Sequence, residues 1–140
     1  MKKFIQIMIL NVYKLVRSSG IQSTTWGRDL SERAYFIYKK FFESNIDYLR
    51  YVVRPGTTVL DVGANIGFFT VMFSKWAIDG SRVIAIEPES SNVDALKRSI
   101  ARNKSQNVEI IQAAAAENEG NLFLSLNPTN PADNRLAENG

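Results

Sequence analysis

The 140-residue sequence contains neither cysteine nor histidine. Without cysteine the chain forms no disulfide and cannot hold a metal ion through thiolates. Without histidine it lacks the side chain that most often serves as a general base and as a metal ligand. Any acid–base chemistry therefore depends on Asp, Glu, Lys or Tyr, and the sequence nominates neither a metal site nor a catalytic residue.

Long hydrophobic runs are also missing. The stretch MKKFIQIMILNVYKLV starts basic, as a signal peptide does, but Gln6, Asn11 and Lys14 interrupt its apolar run and no small-residue cleavage site follows. It is also shorter than the roughly 20 apolar residues that cross a bilayer. We therefore expect an amphipathic helix over residues 1–17, which packs on the protein body or makes peripheral contact with a membrane surface. The expected location is cytoplasmic.

Acidic residues are scarce in the first third of the chain. Residues 1–54 hold ten Lys and Arg against four Asp and Glu, whereas residues 55–140 hold seven against ten. The net charge of +3 at pH 7 is thus the sum of +6 and −3. A basic segment favours anionic surfaces, but a solvated helical face is the simpler explanation, and nucleic acid is not expected as a partner.

Helical patterns fill the N-terminal part of the sequence. A polar linker over residues 21–27 precedes a helix over residues 31–53, whose apolar residues recur at close to helical spacing. Asp29 or Ser31 is predicted to cap its start. Pro55-Gly56 then ends the helix and turns the chain.

Strands and helices alternate from there on. The patterns predict strands at 57–62, 82–87, 107–112 and 121–126, and helices at about 67–77 and 90–103. Ser91 and Asp94 have capping-box spacing at the start of the second helix. The remaining segment, NPTNPADNRLAENG, is polar and rich in turn formers.

This alternation predicts an α/β fold, a Rossmann-like parallel sheet with flanking helices, preceded by N-terminal helices. The predicted organisation is a helical segment over 1–54, a Rossmann-like half-domain over 55–126 and a polar tail over 127–140. Ligands of such sheets bind beyond the carboxyl ends of the strands, next to helix N-termini. The glycine-containing turn VLDVGANIG, residues 59–67, lies at such a strand end.

Two phosphate-binding interpretations of this turn fit poorly. A P-loop needs four residues between its glycines and then a lysine, whereas three residues separate Gly63 from Gly67 and Phe68 follows. The dinucleotide fingerprint needs a middle glycine, and Asn65 occupies that position, where its side chain would crowd a pyrophosphate. An NAD-dependent oxidoreductase therefore stays a weaker alternative.

Two carboxylates favour a cationic ligand instead. Asp61 stands at the end of the first predicted strand, and Glu87 ends the next one. S-adenosylmethionine carries an ammonium and a sulfonium group that suit Asp61, and a carboxylate such as Glu87 can accept both ribose hydroxyls. Taken singly, Asp61 as a helix cap and the two glycines as packing positions are equally good explanations. Their combination favours ligand binding.

The segments PGTTVLDVGANIGFFT, RVIAIEPESSNVDALKRSIARN and NVEIIQAAAAENEGNLFL resemble the FkbM-type branch of class I S-adenosylmethionine-dependent methyltransferases, over about residues 52–126. The resemblance implies S-adenosyl-L-methionine as cofactor and O-methylation of a small-molecule or glycan hydroxyl. It also implies a set of cofactor-binding residues: Asp61, Gly63, Ala64, Asn65 and Gly67 around the methionine end, Glu87 at the ribose, Pro88 beside the adenine, and Gln112, Ala113 and Ala114 flanking the adenine ring.

The sequence departs from that family in two respects. Many class I enzymes read the adenine amino group with an acid or amide after the third strand, and here backbone, Gln112 or Glu117 would have to serve. The later strand with a lysine–acid–acid–glycine pattern, and the substrate-binding half after it, have no counterpart. We therefore expect strand 57–62 to have an exposed edge, covered by a second copy or a partner chain. A non-catalytic remnant that serves as an interaction module is the alternative function.

Overall fold

The computed structural model of the chain describes residues 4, 7, 8, 11, 12, 15, 19–43, 46–77, 79–121, 123–125 and 135–136. It divides into two compact units, residues 1–48 and 49–140. The predicted segment boundaries after residues 54 and 126 stay predictions. Among the described residues, no helix has the length and apolar character needed to span a bilayer.

The described part of the first unit is helical. Within the helix predicted over 1–17, every described residue has helical backbone. A short 3-10 helix, Ile21–Ser23, leads into α1, Thr25–Phe42. Thr24 caps α1, because its Oγ1 accepts a hydrogen bond from the Gly27 N–H at 3.2 Å.

The predicted start of this helix is therefore wrong. The linker predicted over 21–27 is mostly helical, and the proposed caps lie inside α1. Asp29 instead pairs with Arg33 at 2.7 Å, one turn along. The Ser31 hydroxyl donates back to the Gly27 carbonyl at 2.9 Å. Polar residues five and seven positions after Thr24 were mistaken for the cap because Thr, Ser and Asp all suit that role.

The predicted end of the helix is wrong as well. Glu43 has extended backbone and ends α1, and a separate short helix, α2, spans Ile46–Arg50. The sequence between them is Ser-Asn, residue types whose side chains compete for backbone hydrogen bonds. The apolar spacing across residues 31–53 therefore belongs to two helices.

The second unit contains a parallel three-stranded sheet in the order β1-β2-β3, which confirms the predicted fold. The strands are β1, Thr58–Val62, β2, Arg82–Ile86, and β3, Val108–Ile111. The connecting helices are α3, Phe68–Trp76, and α4, Ser90–Asn103. All five elements lie within a residue or two of the predicted ranges.

In the described part of the chain, one face of the sheet carries the core and the other is exposed at β1. Ala85 on β2 and Leu96 on α4 are fully buried, and Val108 and Ile110 of β3 pack against them. On the opposite face, Leu60 and Val62 of β1 are 60% and 59% exposed. Within the described residues β1 lies at the sheet edge, as predicted.

The capping box predicted for α4 is wrong. Glu89, one residue before the helix, is the N-cap, and its carboxylate accepts hydrogen bonds from the Ser91 and Asn92 N–H groups at 2.9 and 2.7 Å. Ser91 lies in the first turn and its hydroxyl donates to Glu89. The sequence favoured the Ser–Asp spacing because Glu is an uncommon cap.

The fourth predicted strand does not join the parallel sheet but contributes to a second, two-stranded sheet. In that segment β4, Leu124–Ser125, pairs antiparallel with β5, Arg135–Leu136. Residues 122 and 126 of the predicted strand lie outside the described residues, as does most of the predicted polar tail. β5 was missed because its neighbours in the sequence are turn formers.

Candidate cofactor-binding site

The turn after β1 is tied to the end of β2. The N–H groups of Gly63 and Ala64 both donate to the Ile86 carbonyl, at 2.9 and 3.1 Å. The turn is tight because three of its residues have left-handed backbone: Gly63 (φ 76°), Asn65 (φ 51°) and Gly67 (φ 89°). Asn is among the few residues with a Cβ that adopt this conformation readily.

The two glycines have different surroundings. A Cβ on Gly67 would lie 2.4 Å from Cδ1 of the fully buried Leu96, so this glycine permits close packing of the turn on α4. A Cβ on Gly63 would meet no atom within 4 Å. Gly63 therefore borders open space at the carboxyl end of the sheet, where a ligand can approach the backbone.

Asp61 lies buried on the core face of β1, 8% exposed. Its Oδ2 accepts a hydrogen bond of 2.5 Å from Oγ1 of Thr70, a fully buried residue of α3. Burial raises the pKa of Asp61, the hydrogen bonds from Thr70 oppose that rise, and the nearby charge of Glu87 adds to it. A cationic ligand would therefore stabilise the ionised carboxylate.

Glu87 is 5% exposed and its carboxylate is held from three directions. Oε2 accepts from the Asn65 N–H at 2.8 Å. Oε1 accepts from the Glu89 N–H and from Nδ2 of Asn92, both at 3.1 Å. A carboxylate has about four lone-pair positions, so one on Oε2 is left. The predicted contact with two ribose hydroxyls thus requires one of these three donors to move.

A cavity of about 800 Å³ lies beyond the end of β3. Its lining includes Pro88 and the whole predicted adenine-flanking stretch, residues 112–114. Gln112 and Glu117, the two side chains considered as readers of the adenine, both line it. Residues of the 116–121 loop and Leu124 complete the lining.

The predicted site residues therefore fall into two adjoining groups. Asp61, the turn residues 63–67 and Glu87 gather at the carboxyl ends of β1 and β2. Pro88, which follows Glu87 directly, and residues 112–114 line the cavity. The assignment of these residues to a cofactor stays a prediction, but their positions relative to one another agree with a single elongated ligand.

Sequence reasoning missed Thr70 and Asn92, which hold the two carboxylates. Thr70 is the one polar residue in the apolar run FFTVMF. Because a polar side chain at a core position needs a hydrogen-bond partner, that interruption was a usable signal. Asn92, 4% exposed, gave no comparable signal, since an Asn in the first turn of a helix is ordinary.

These groups fit S-adenosylmethionine better than a dinucleotide. Two buried carboxylates would meet the cationic methionine end and the ribose, open space borders Gly63, and a polar cavity begins at Pro88. A pyrophosphate at the same turn would face the negative charge of both carboxylates.

The family model of protein-L-isoaspartate(D-aspartate) O-methyltransferase (PCMT) matches residues 32–118, more than half of the chain. The chain belongs to this family of class I S-adenosylmethionine-dependent methyltransferases. Membership in the PCMT family confirms the predicted methyltransferase class and S-adenosylmethionine as the family's cofactor. The match covers β1 to β3 and the first residues of the 116–121 loop that lines the cavity.

Single relatives of this PCMT-family chain agree with that class. It is 40% identical over 73 residues to the 31-O-demethyl-FK506 methyltransferase FkbM of Streptomyces tacrolimicus. This alignment covers 51% of the chain and 27% of FkbM. It is also 40% identical over 60 residues to a protein of Methanosphaera stadtmanae named "Probable ribosomal RNA small subunit methyltransferase A", over 43% of the chain and 21% of the relative. The matches thus span about a quarter of these proteins.

Among solved structures, a SAM-dependent methyltransferase from Aquifex aeolicus is 28% identical. The superposition has a TM-score of 0.46 and covers 54% of this chain and 40% of the other.

Proposed function

We propose that this chain binds S-adenosylmethionine at the carboxyl ends of β1 and β2 and serves the O-methylation of a hydroxyl on a small molecule or glycan, as an FkbM-type methyltransferase. The observation that carries the proposal is the pair of buried carboxylates, Asp61 and Glu87, beside the open space at Gly63. A cytoplasmic location is part of the proposal.

Two names among the relatives support an oxygen acceptor. The PCMT description and the FkbM name both specify transfer to oxygen. The FkbM match also includes more of the chain than the ribosomal RNA methyltransferase match. An RNA acceptor is therefore the second candidate, and an alcohol the first.

The chain's own contribution would be binding and alignment. When bound, S-adenosylmethionine supplies a methyl group on a sulfonium, which is already an excellent leaving group. Asp61 would face its cationic end, and Glu87, held by Asn65 and Asn92, would accept a hydrogen bond from the ribose. Holding the cofactor in one orientation is the main requirement for an in-line displacement. No residue is assigned as catalytic base.

Calorimetric titration with S-adenosylmethionine, S-adenosylhomocysteine and NAD tests the binding part. We expect both adenosyl ligands to bind and NAD not to bind. Asp61→Asn and Glu87→Gln keep side-chain size and remove charge, and each should weaken binding by about tenfold or more, since a hydrogen bond to a charged group contributes about 1.5–3 kcal/mol.

Exposed acids of the same unit provide matched controls. Asp94→Asn on α4 and Glu109→Gln on β3 make the same chemical changes at exposed positions, and both should leave affinity unchanged. A folded chain that binds neither adenosyl ligand would contradict the proposal, and preferential NAD binding would favour an oxidoreductase.

Methyl transfer is tested separately with labelled S-adenosylmethionine. The acceptors are 31-O-demethyl-FK506 and ribosomal RNA, one for each relative, and an isoaspartyl peptide for the PCMT family. Labelling of the alcohol is the expected result. Binding of the cofactor without transfer to any acceptor would favour the non-catalytic interaction module.

A further inference from the structure

An apolar stripe runs along the N-terminal helical residues, and we call it the N-terminal stripe. Its apolar side chains are between 51% and 74% exposed: Phe4, Ile7, Met8, Val12 and Leu15. Their spacings of three and four residues put them on one side of a helix. Together with Asn11 they line a shallow groove of about 470 Å³. Apolar residues exposed contiguously in this way mark an interaction surface.

The charge of this region indicates what the stripe meets. Residues 1–28 contain five basic residues, Lys2, Lys3, Lys14, Arg17 and Arg28, and no acidic residue. An apolar helix face combined with an excess of Lys and Arg is the composition of helices that lie in a membrane interface. Anionic headgroups attract such a segment, and the apolar side chains enter the acyl region.

Self-association through the stripe fits these observations less well. A second copy would bring five more basic residues alongside the first five, with no acid in the segment to pair with them. The stripe also extends over less than two heptads, whereas coiled-coil pairing needs about three or four. An anionic lipid surface satisfies both the apolar face and the charge.

We propose that the N-terminal stripe is a membrane-docking surface that lies in the plane of an anionic bilayer. The described helices do not span a bilayer, so the attachment is peripheral and reversible. The proposal does not depend on methyl transfer, because it rests on residues 4–15 and on the charge of residues 1–28.

Vesicle flotation with the full chain tests this docking. The two vesicle types are phosphatidylcholine alone and phosphatidylcholine mixed with phosphatidylglycerol. We expect binding to the mixed vesicles to be stronger by about tenfold or more, and to weaken at high salt as headgroup attraction is screened. The double variant Phe4→Ser/Leu15→Ser should reduce binding by about tenfold or more, because it removes the two most exposed apolar side chains of the stripe.

A matched variant on α1 controls for the loss of exposed apolar surface in general. Phe41→Ser/Leu30→Ser changes the same residue types at positions that are also more than half exposed. It should leave vesicle binding unchanged. Lys3→Gln/Lys14→Gln should weaken binding to the mixed vesicles only.

Three results would overturn the proposal. They are failure of the wild-type chain to float with the mixed vesicles, equal binding to both vesicle types, and equal loss in the stripe and α1 variants. The competing occupant of the stripe is a second copy of the chain, and light scattering of each variant without lipid tests for it. A dimer that dissociates only in the stripe variant, in a chain that does not bind vesicles, would assign the stripe to a second copy.

Discussion

Gly63 and Gly67 have the same left-handed backbone but opposite surroundings, and this difference separates ligand contact from packing. At Gly67 the neighbour is Leu96, whose side chain is fully buried and would lie 2.4 Å from an added Cβ. At Gly63 the neighbouring space is empty. The same Ala substitution therefore has a different consequence at each position.

We predict that Gly67→Ala lowers the free energy of unfolding by more than about 2 kcal/mol. This is the cost of holding Ala in a left-handed conformation plus the cost of overpacking the core against Leu96. Gly63→Ala should cost only about 1 kcal/mol, the backbone term, yet lower S-adenosylhomocysteine affinity by about tenfold or more because its Cβ enters the proposed site. Urea denaturation and calorimetry measure the two quantities.

Gly56→Ala is the matched control for Gly63→Ala. Gly56 has φ 74° and open space around its Cβ position, but it lies before the amino end of β1, whereas the proposed site is at the carboxyl ends of the strands. It should show the same small loss of stability with unchanged affinity. Equal affinity in Gly63→Ala and Gly56→Ala would remove Gly63 from the cofactor site.

At the scale of the element, α4 depends on an unusual cap. We predict that Glu89→Ala lowers the free energy of unfolding by about 1 kcal/mol, since it leaves the N–H groups of Ser91 and Asn92 without their acceptor. Asp94→Ala, the other residue considered for capping, should change stability by less than about 0.5 kcal/mol. Asp94 is exposed. Among the described residues its only ion pair is with Lys97, at an N–O distance of 4.0 Å, and such an exposed pair contributes little.

The effect of Glu89 should depend on pH. Burial acts to raise the pKa of Glu89, but the hydrogen bonds from Ser91 and Asn92 outweigh it and leave the pKa below its ordinary value. The stabilisation is therefore complete above the unfolded pKa of about 4.3, and it is lost as the pH falls through the lower folded pKa. The free energies of unfolding of wild type and Glu89→Ala, measured by denaturation, should converge in strong acid. A constant difference at all pH values would contradict the assignment.

At the scale of the whole molecule, the sheet face opposite the core is exposed at β1 in the described part of the second unit. Parallel sheets are usually covered on both faces, and here Leu60 and Val62 are exposed at the edge strand. We predict that a second copy covers this face, so the chain self-associates at micromolar concentration. Leu60→Asp should shift it to the monomer, as measured by sedimentation velocity.

Val52→Asp introduces the same charge at a residue with 62% exposure that is outside the sheet. It should leave the association unchanged. A wild-type chain that stays monomeric at high concentration would contradict the prediction. Equal dissociation by both variants would show that added charge, and not the sheet face, is responsible.

Much of the fold was determined by local sequence patterns. Apolar β-branched runs define β1 to β3, and 3.6-residue periodicity defines α3 and α4, because each of these signals depends on neighbouring residues alone. The Asp61 and Glu87 positions followed from the same reasoning, since both stand at strand ends. The helix boundaries in residues 21–53 were wrong because several Ser, Thr and Asp residues offered equivalent caps.

Tertiary structure decided what these residues contact. Only the packing of α3 under β1 brings Thr70 to Asp61, and only the pairing of β1 with β2 brings the Asn65 backbone to Glu87. Asn92 reaches Glu87 from the first turn of α4, five residues further along the chain. It also decided that Gly67 accommodates Leu96 while Gly63 borders open space. The physical reason is that strand ends and turns are encoded locally, whereas burial and the choice of hydrogen-bond partners depend on how separate elements pack against one another.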